Sequence, residues 1–335
     1  MRSFISIAIL AFCSLLPAAA KDLKIYFIDV EGGQATLIVS PSGQSMLVDA
    51  GWPGNNGRDA DRIVATAKKA GVKQIDYLLL THYHLDHVGG VEPLAPKIPI
   101  KNFVDHGENT ETGRQAAELS ASYEKARAKG KRIIVKPGDR IPLKGVEIHV
   151  VAARGERIAK PLEGAGQPVA GCADVQKKDS DTSENGKSVG FILRYGDFRF
   201  ADLADLTWNN ELALVCPNNL IGNADLFLVS HHGMNISNSP VLVKALSPRV
   251  AVLGNGIRKG ASADALMWIQ KTPGVEDMWQ LHHTPTATDA NAGDAFIANL
   301  GETCLVGQGI EVSAEESGHF EVKNTRTGFS KKYKK

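Results

Sequence analysis

Three histidines and an aspartate fall within six residues in the segment Thr81-His82-Tyr83-His84-Leu85-Asp86-His87. His82 and His84 are two apart, directly after the short apolar run 75–80. Side chains two apart in extended chain point the same way, so two imidazoles can converge on one cation. Asp86 and His87 follow as the chain turns and can reach a second cation nearby, and Gly89-Gly90 lets the backbone bend away. Burying so many polar groups without a partner would cost several kcal/mol in sum, so packing alone does not account for them. Imidazole nitrogens with a carboxylate oxygen suit zinc, with manganese or iron as alternatives, and either one or two ions. A divalent cation lowers the pKa of its water to about 7, which supplies a nucleophile at neutral pH. The loop therefore reads as the centre of a metal-dependent hydrolase.

The elements that must position this loop are legible around it. Residues 23–30 (LKIYFIDV) are rich in β-branched and aromatic residues and predict a strand. Residues 35–39 and 45–48 flank Pro41-Ser42-Gly43, a hairpin signal. The apolar spacing over 61–70 predicts a surface helix, and 75–80 a buried strand that delivers the histidines. Further strands are expected over 100–104, 132–135, 146–152, 188–195, 198–201, 226–229 and 250–253, with helices over 112–128 and 240–246. Residues 155–186 are Gly-, Lys-, Asp- and Ser-rich and read as a long rim loop. Strands first, then alternating strand and helix, twice over, imply two β-rich halves packed face to face with helices outside.

Length and composition bound the class. The chain has 335 residues, 43% hydrophobic and 22% charged, which is ordinary for a globular protein and ample for a large core. A net charge of +1 provides no global field that would favour nucleic acid. Met1-Arg2-Ser3, an apolar run to Leu16 and Pro17-Ala18-Ala19-Ala20 read as a secretory signal peptide over 1–20, cut after Ala20. This predicts a periplasmic or secreted protein with no stable membrane span after cleavage. Cys172, Cys216 and Cys304 then remain, enough for one disulfide and one free thiol, with the pair undecided. The last residues, 323–335, are basic and read as a solvated, disordered tail, which leaves 21–322 as a single domain.

The H-x-H-x-D-H pattern resembles the signature of the metallo-β-lactamase superfamily. Residues 27–35 (FIDVEGGQA) look like the opening of the soluble hydrolase domain of ComEC-type competence proteins. Residues 47–51 (LVDAG) are similar to the superfamily's second-strand motif, 198–205 to the strand that delivers a bridging aspartate, and 230–233 (SHHG) to its His-His-Gly motif. The resemblance implies an α/β fold, a four-layer αββα sandwich. It implies His82, His84, Asp86, His87, Asp205 and His231 as metal ligands, with Asp49 supporting the loop from behind. Asp86 would also orient the attacking water, and His232 would donate a proton to the scissile group. The choice between His231 and His232 as ligand stays open, and Asp202 is a rival to Asp205.

Two departures stand out. Where a middle histidine is expected, the chain reads Ser183-Glu184-Asn185-Gly186, so Asn185 becomes a candidate ligand. After 250–253 the chain reads Gly254-Asn255-Gly256 instead of a histidine; Asn255 is a candidate, and His282 or His283 could fold back. His106 reads as either a rim residue or a structural turn; His149 and His319 read as structural. The resemblance implies phosphodiester substrates, either nucleic acid or a small molecule. The alternatives are hydrolysis of esters, lactones or β-lactams, and a non-catalytic metal-binding module. Oligomeric state is not legible.

Overall fold

Two nine-stranded sheets face each other with helices on both outer sides. The computed structural model describes residues 21–301 and 306–335; the expected signal peptide and Cys304 lie outside them. The first half of the chain builds β1 (Leu23–Phe27), β2 (Thr36–Val39), β3 (Ser45–Val48), β4 (Ile75–Leu79), β5 (Ile100–Asp105) and β6 (Lys131–Ile134). The second sheet holds β7 (Arg140–Ile141), β8 (Glu147–Ala153), β9 (Glu156–Arg157), β10 (Gly190–Tyr195), β11 (Phe198–Asp202), β12 (Leu226–Leu228), β13 (Val250–Leu253), β14 (Asp277–His282) and β15 (Ile297–Asn299). The chain then returns to the first sheet as β16 (Ile310–Ala314), β17 (Phe320–Asn324) and β18 (Ser330–Tyr333), with β16 paired antiparallel to β1.

Each half repeats one plan. In the first sheet β1, β2 and β3 are antiparallel, and β3 to β6 are parallel. In the second, β8, β10 and β11 are antiparallel, and β11 to β15 are parallel. Parallel neighbours need crossovers. These are α1 (Arg58–Lys69), α2 (Leu85–Val88), α3 (Val91–Leu94) and α4 (Arg114–Arg127) on one side, and α5 (Trp208–Val215), α6 (Pro240–Leu246) and α7 (Ala263–Lys271) on the other.

Alternation decides the layers. Leu23, Ile25 and Phe27 of β1 point into the core between the sheets, against Phe191, Phe200 and Leu228 of the second sheet. Leu37, Leu47 and Leu78 point the other way, onto Ala60, Ile63 and Ala67 of α1, which recur at helical spacing. Phe227, Ala251 and Ile192 likewise meet Leu212, Leu246 and Leu266 of the second helical layer. The fold is the expected αββα sandwich.

The C-terminal expectation needs correction. Residues 323–335 are not a loose tail: β18 pairs with β17 in register Phe320 to Tyr333. Tyr333 is buried, stacks on Phe320 and hydrogen-bonds Asp277 and Trp279. Its lysines lie on an edge strand, where charge is ordinary, and this masked the strand in the sequence. The rim loop is also better tied than composition suggested, because Cys172 forms a disulfide with Cys216 at the end of α5. Among the described residues no helix is long and apolar enough to cross a membrane.

Candidate metal centre

The site lies at the carboxyl ends of the parallel strands, where an α/β sheet opens a crevice. β3 leads to Asp49, β4 leads into the histidine loop, β11 leads to Asp205, β12 to His231 and His232, and β13 to the turn 254–260. Asp49 is fully buried and accepts from the Thr81 backbone N (2.8 Å), the Thr81 hydroxyl (2.7 Å) and His87 Nδ1 (2.7 Å). It thus ties β3 to the histidine loop, as expected. Gly90 is required by close approach, since a Cβ there would stand 1.8 Å from the Ala50 carbonyl oxygen.

Each imidazole has one ring nitrogen engaged by a fixed partner. His82 Nδ1 faces the Thr81 hydroxyl at 3.0 Å, and His84 Nε2 faces Glu111 at 3.1 Å. His231 Nδ1 is held by Ser237 at 3.2 Å, and His232 Nδ1 donates to the Gly254 carbonyl at 3.1 Å. Such outer partners set the tautomer and aim the other nitrogen at the cavity. The opposite nitrogens do converge. His87 Nε2 stands 3.2 Å from Asp86 Oδ2 and 3.3 Å from Asp205 Oδ2; His232 Nε2 stands 3.1 and 3.4 Å from the same atoms. His82 Nε2 and His84 Nδ1 are 3.1 Å apart.

A cation fits this donor set. Asp86, His87, Asp205 and His232 are all buried, with one ligand atom each inside 4.8 Å of the others. His87 Nε2 and His232 Nε2 are buried without a well-formed hydrogen bond. Bonds of about 2.0–2.1 Å to a tetrahedral ion place ligand atoms about 3.3 Å apart, close to the spacing seen.

The electrostatics agree. Burial pushes the Asp86 and Asp205 carboxyls up, but the neighbouring imidazoles outweigh it and hold both well below the usual carboxylate range. Burial pulls His87 and His232 down, yet the carboxylates around them raise both. Burial keeps His82 and His231 below the ordinary histidine value. Negative carboxylates and neutral imidazoles are the forms that bind metal, so Asp86, Asp205, His82 and His231 stand in that form, while His87 and His232 would give up a proton to a cation entering between the carboxylates.

The expected residues divide as follows. His82, His84, Asp86, His87 and Asp205 come together, and His232 joins the carboxylates where the sequence analysis had favoured His231 as ligand. Both histidines have left-handed backbone, φ 51° and 53°, so strand parity could not choose between them. His231 instead points its Nε2 at Asp205 Oδ2 (3.6 Å) and Asn185 (3.4 Å), and the Oδ1 of Asn185 is buried without a partner. Asn255 is turned away, bound to the His282 backbone and the Gly256 carbonyl, because it closes the turn after β13. His282 is not at the site; its Nε2 meets Asp29 at 2.6 Å. Asp202 is buried beneath, with its carboxyl pushed up to about 7 by burial, and is not among the converging ligands. His106 is structural, held by Glu184 at 3.0 Å, and His149 pairs with Glu147.

Three further residues contact the histidine loop. Glu184, fully buried, accepts from Tyr83 N, His106 Nε2, Thr110 N and the Thr110 hydroxyl, and so locks the histidine loop to the segment after β5. Glu111 orients His84. Lys259 ion-pairs with Asp86. Nothing in local spacing marks them, since each arrives from a distant loop.

The family described as the metallo-beta-lactamase superfamily matches residues 28–169. The chain is 24% identical over 259 residues to ComE operon protein 3 of Bacillus subtilis (strain 168), covering 72% of this chain and 29% of that protein. It is 25% identical over 258 residues to competence protein ComA of Neisseria gonorrhoeae, covering 76% and 30%. The chain thus spans about three tenths of the length of these relatives. Among solved structures it is similar to the metallo-beta-lactamase fold protein YhfI of Bacillus subtilis (14% identity, TM-score 0.48, 78% of this chain and 96% of that one). It is also similar to Zn(2+)-bound PqqB of Methylobacterium extorquens (12% identity, TM-score 0.44, 84% and 98%).

Proposed function

From the chain's membership of the metallo-β-lactamase superfamily, we propose that it is a metal-dependent hydrolase of phosphodiesters, acting in the periplasm or outside the cell. The observation that carries this reading is the convergence of Asp86, Asp205 and the unsatisfied Nε2 atoms of His87 and His232. Asp86, His87, Asp205 and His232 would hold one cation. His82 Nε2 and His84 Nδ1, with Asn185 and Asp205, would hold a second. The nitrogen-rich donor set favours zinc, with manganese or iron as alternatives. A divalent cation held there supplies Lewis acidity and a water activated near neutral pH.

The chain's own side chains do the rest. Asp205 turns one carboxylate oxygen towards His87, His231 and His232, so it can serve both halves of the site. Asp86 is placed to orient the attacking water. His231, with Nδ1 held by Ser237, presents Nε2 to the cavity and would give a proton or hydrogen bond to the leaving oxygen. This moves to His231 the role that the sequence analysis gave to His232. The phosphodiester preference is supported by the likeness to competence proteins, over the part of their length that the chain spans. The Cys172–Cys216 disulfide supports an oxidising compartment.

Elemental analysis of purified protein, beside turnover of bis-p-nitrophenyl phosphate and nitrocefin, tests the reading. Bound zinc, phosphodiester turnover and loss of both in His87→Ala are expected. Nitrocefin turnover without phosphodiester turnover would move the activity to lactams. Bound metal with no turnover of either substrate would leave a non-catalytic metal-binding module.

A further inference from the structure

Lys259 occupies a place that the site's chemistry has not yet used. It sits in the turn after β13, in the stretch where the sequence lacks the expected histidine. Its Nζ ion-pairs with Asp86 Oδ2 and lies 4.6 Å from the centre of the Trp52 ring. The side chain is 32% exposed, so it stands at the mouth of the site and not beneath it.

The turn that carries it is held on both sides. Gly256 N donates to Lys259 O at 2.9 Å, Ala261 N to His232 O at 2.8 Å, and Ser262 N to Gly233 O at 2.9 Å. At Gly260, φ is 78° and a Cβ would stand 2.1 Å from His232 O. At Gly256 a Cβ would stand 2.7 Å from Glu31 O. Trp52 is itself fixed, its N donating to Asp59 at 2.8 Å. The ammonium is therefore aimed by its surroundings.

We propose that Lys259 is the substrate-anion receptor of this site: its ammonium binds a non-bridging oxygen of a phosphodiester beside the cation held by Asp86. The inference rests on the metal reading above. A cation taken by Asp86 draws on the same carboxylate that Lys259 now neutralises, which leaves a tethered positive charge in need of a counter-ion. Trp52 keeps that charge in place through its ring face. An ammonium is a compact point charge with three donors, suited to a tetrahedral anion. A neutral ester or lactone offers it no matching charge, so the residue sets preference towards anionic substrates.

The test uses zinc-loaded full-length protein and inorganic phosphate as the probe, titrated calorimetrically. Lys259→Met is expected to keep the wild-type zinc content while weakening phosphate binding, and raising KM for bis-p-nitrophenyl phosphate, by about tenfold or more. Lys259→Arg is expected to recover much of both. Phosphate should also shield Lys259 of the wild type from acetylation, read by mass spectrometry, so the claim is testable even if Lys259→Met does not fold. An unchanged phosphate affinity in Lys259→Met, or no shielding, overturns the proposal and leaves the metal reading standing. A wild type that takes up no zinc sinks both.

Discussion

Asp49 accepts the Nδ1 proton of His87 across 2.7 Å, with both side chains fully buried. Asp49 follows one strand and His87 lies in the loop after the next, so this bond transmits the position of β3 to the cavity-facing side of the His87 ring. With Nδ1 held by Asp49, Nε2 is left to face the cavity. Asp49 is itself in left-handed backbone, φ 57°, a conformation that an L-residue adopts when its surroundings demand it.

Asp49→Asn should therefore weaken zinc binding by about 10–100-fold with the fold retained, which is the usual effect of losing an outer partner of a metal-bound histidine. Competition with a zinc-responsive dye measures it. Asp61→Asn, on the exposed face of α1, serves as the control. Equal zinc affinity in Asp49→Asn and the control would show that the His87 ring needs no such guide.

Glu184 should give the protein an acid-sensitive clamp. Burial pushes its carboxyl up, but hydrogen bonds from His106 and Thr110 outweigh this and bring it down from 4.5 to about 2. A carboxyl depressed in the fold stabilises it above the unfolded value and loses that contribution as pH falls from about 4.5 towards 2. The shift corresponds to about 3 kcal/mol at neutral pH. Melting of the wild type and Glu184→Gln across pH should show roughly 5–10 °C between them at pH 7, a gap that narrows below pH 4.5. A gap independent of pH would mean that Glu184 acts by shape and not by charge.

Gly260→Ala should disturb the metal centre without touching a ligand side chain. Its Cβ would collide with His232 O, and its φ of 78° is costly for alanine. A displaced His232 should lower zinc affinity by about tenfold, a loss near 1.4 kcal/mol. Gly43→Ala shares a positive φ but has open space around it, so it should lose stability only. Matching zinc affinities for the two variants would sink the explanation.

Cys172 and Cys216 close a loop of 44 residues in sequence separation. Closing such a loop in the unfolded chain is worth about 4 kcal/mol on the chain-entropy account. Reduction of the wild type should lower Tm to that of a Cys172→Ser, Cys216→Ser variant, and should leave the variant unmoved. A wild type indifferent to reductant would contradict the pairing.

How much was legible follows from how local each signal is. Ser45–Val48, Pro240–Leu246 and Val250–Leu253 match their expected bounds residue for residue. Hairpin residues mark the first, and the second begins at Pro240 behind Ser239, whose hydroxyl accepts from Leu242 N as a helix cap. β18 was hidden because lysines dominate it, and its pairing partner is supplied by a hairpin that itself docks on β1, far away in sequence.

The sequence by itself determined the histidine loop, through residue types at short spacing, while Asp49, Asp205 and the αββα architecture came from the resemblance that motifs in order along the chain carry. Only the tertiary structure decided that His232 meets both Asp86 and Asp205 while His231 meets Asp205 alone, that Asn255 turns away, and that Glu111, Glu184 and Lys259 contact the histidine loop. Those choices depend on left-handed backbone and on loops that come together across two sheets, and neither leaves a periodic trace in the chain.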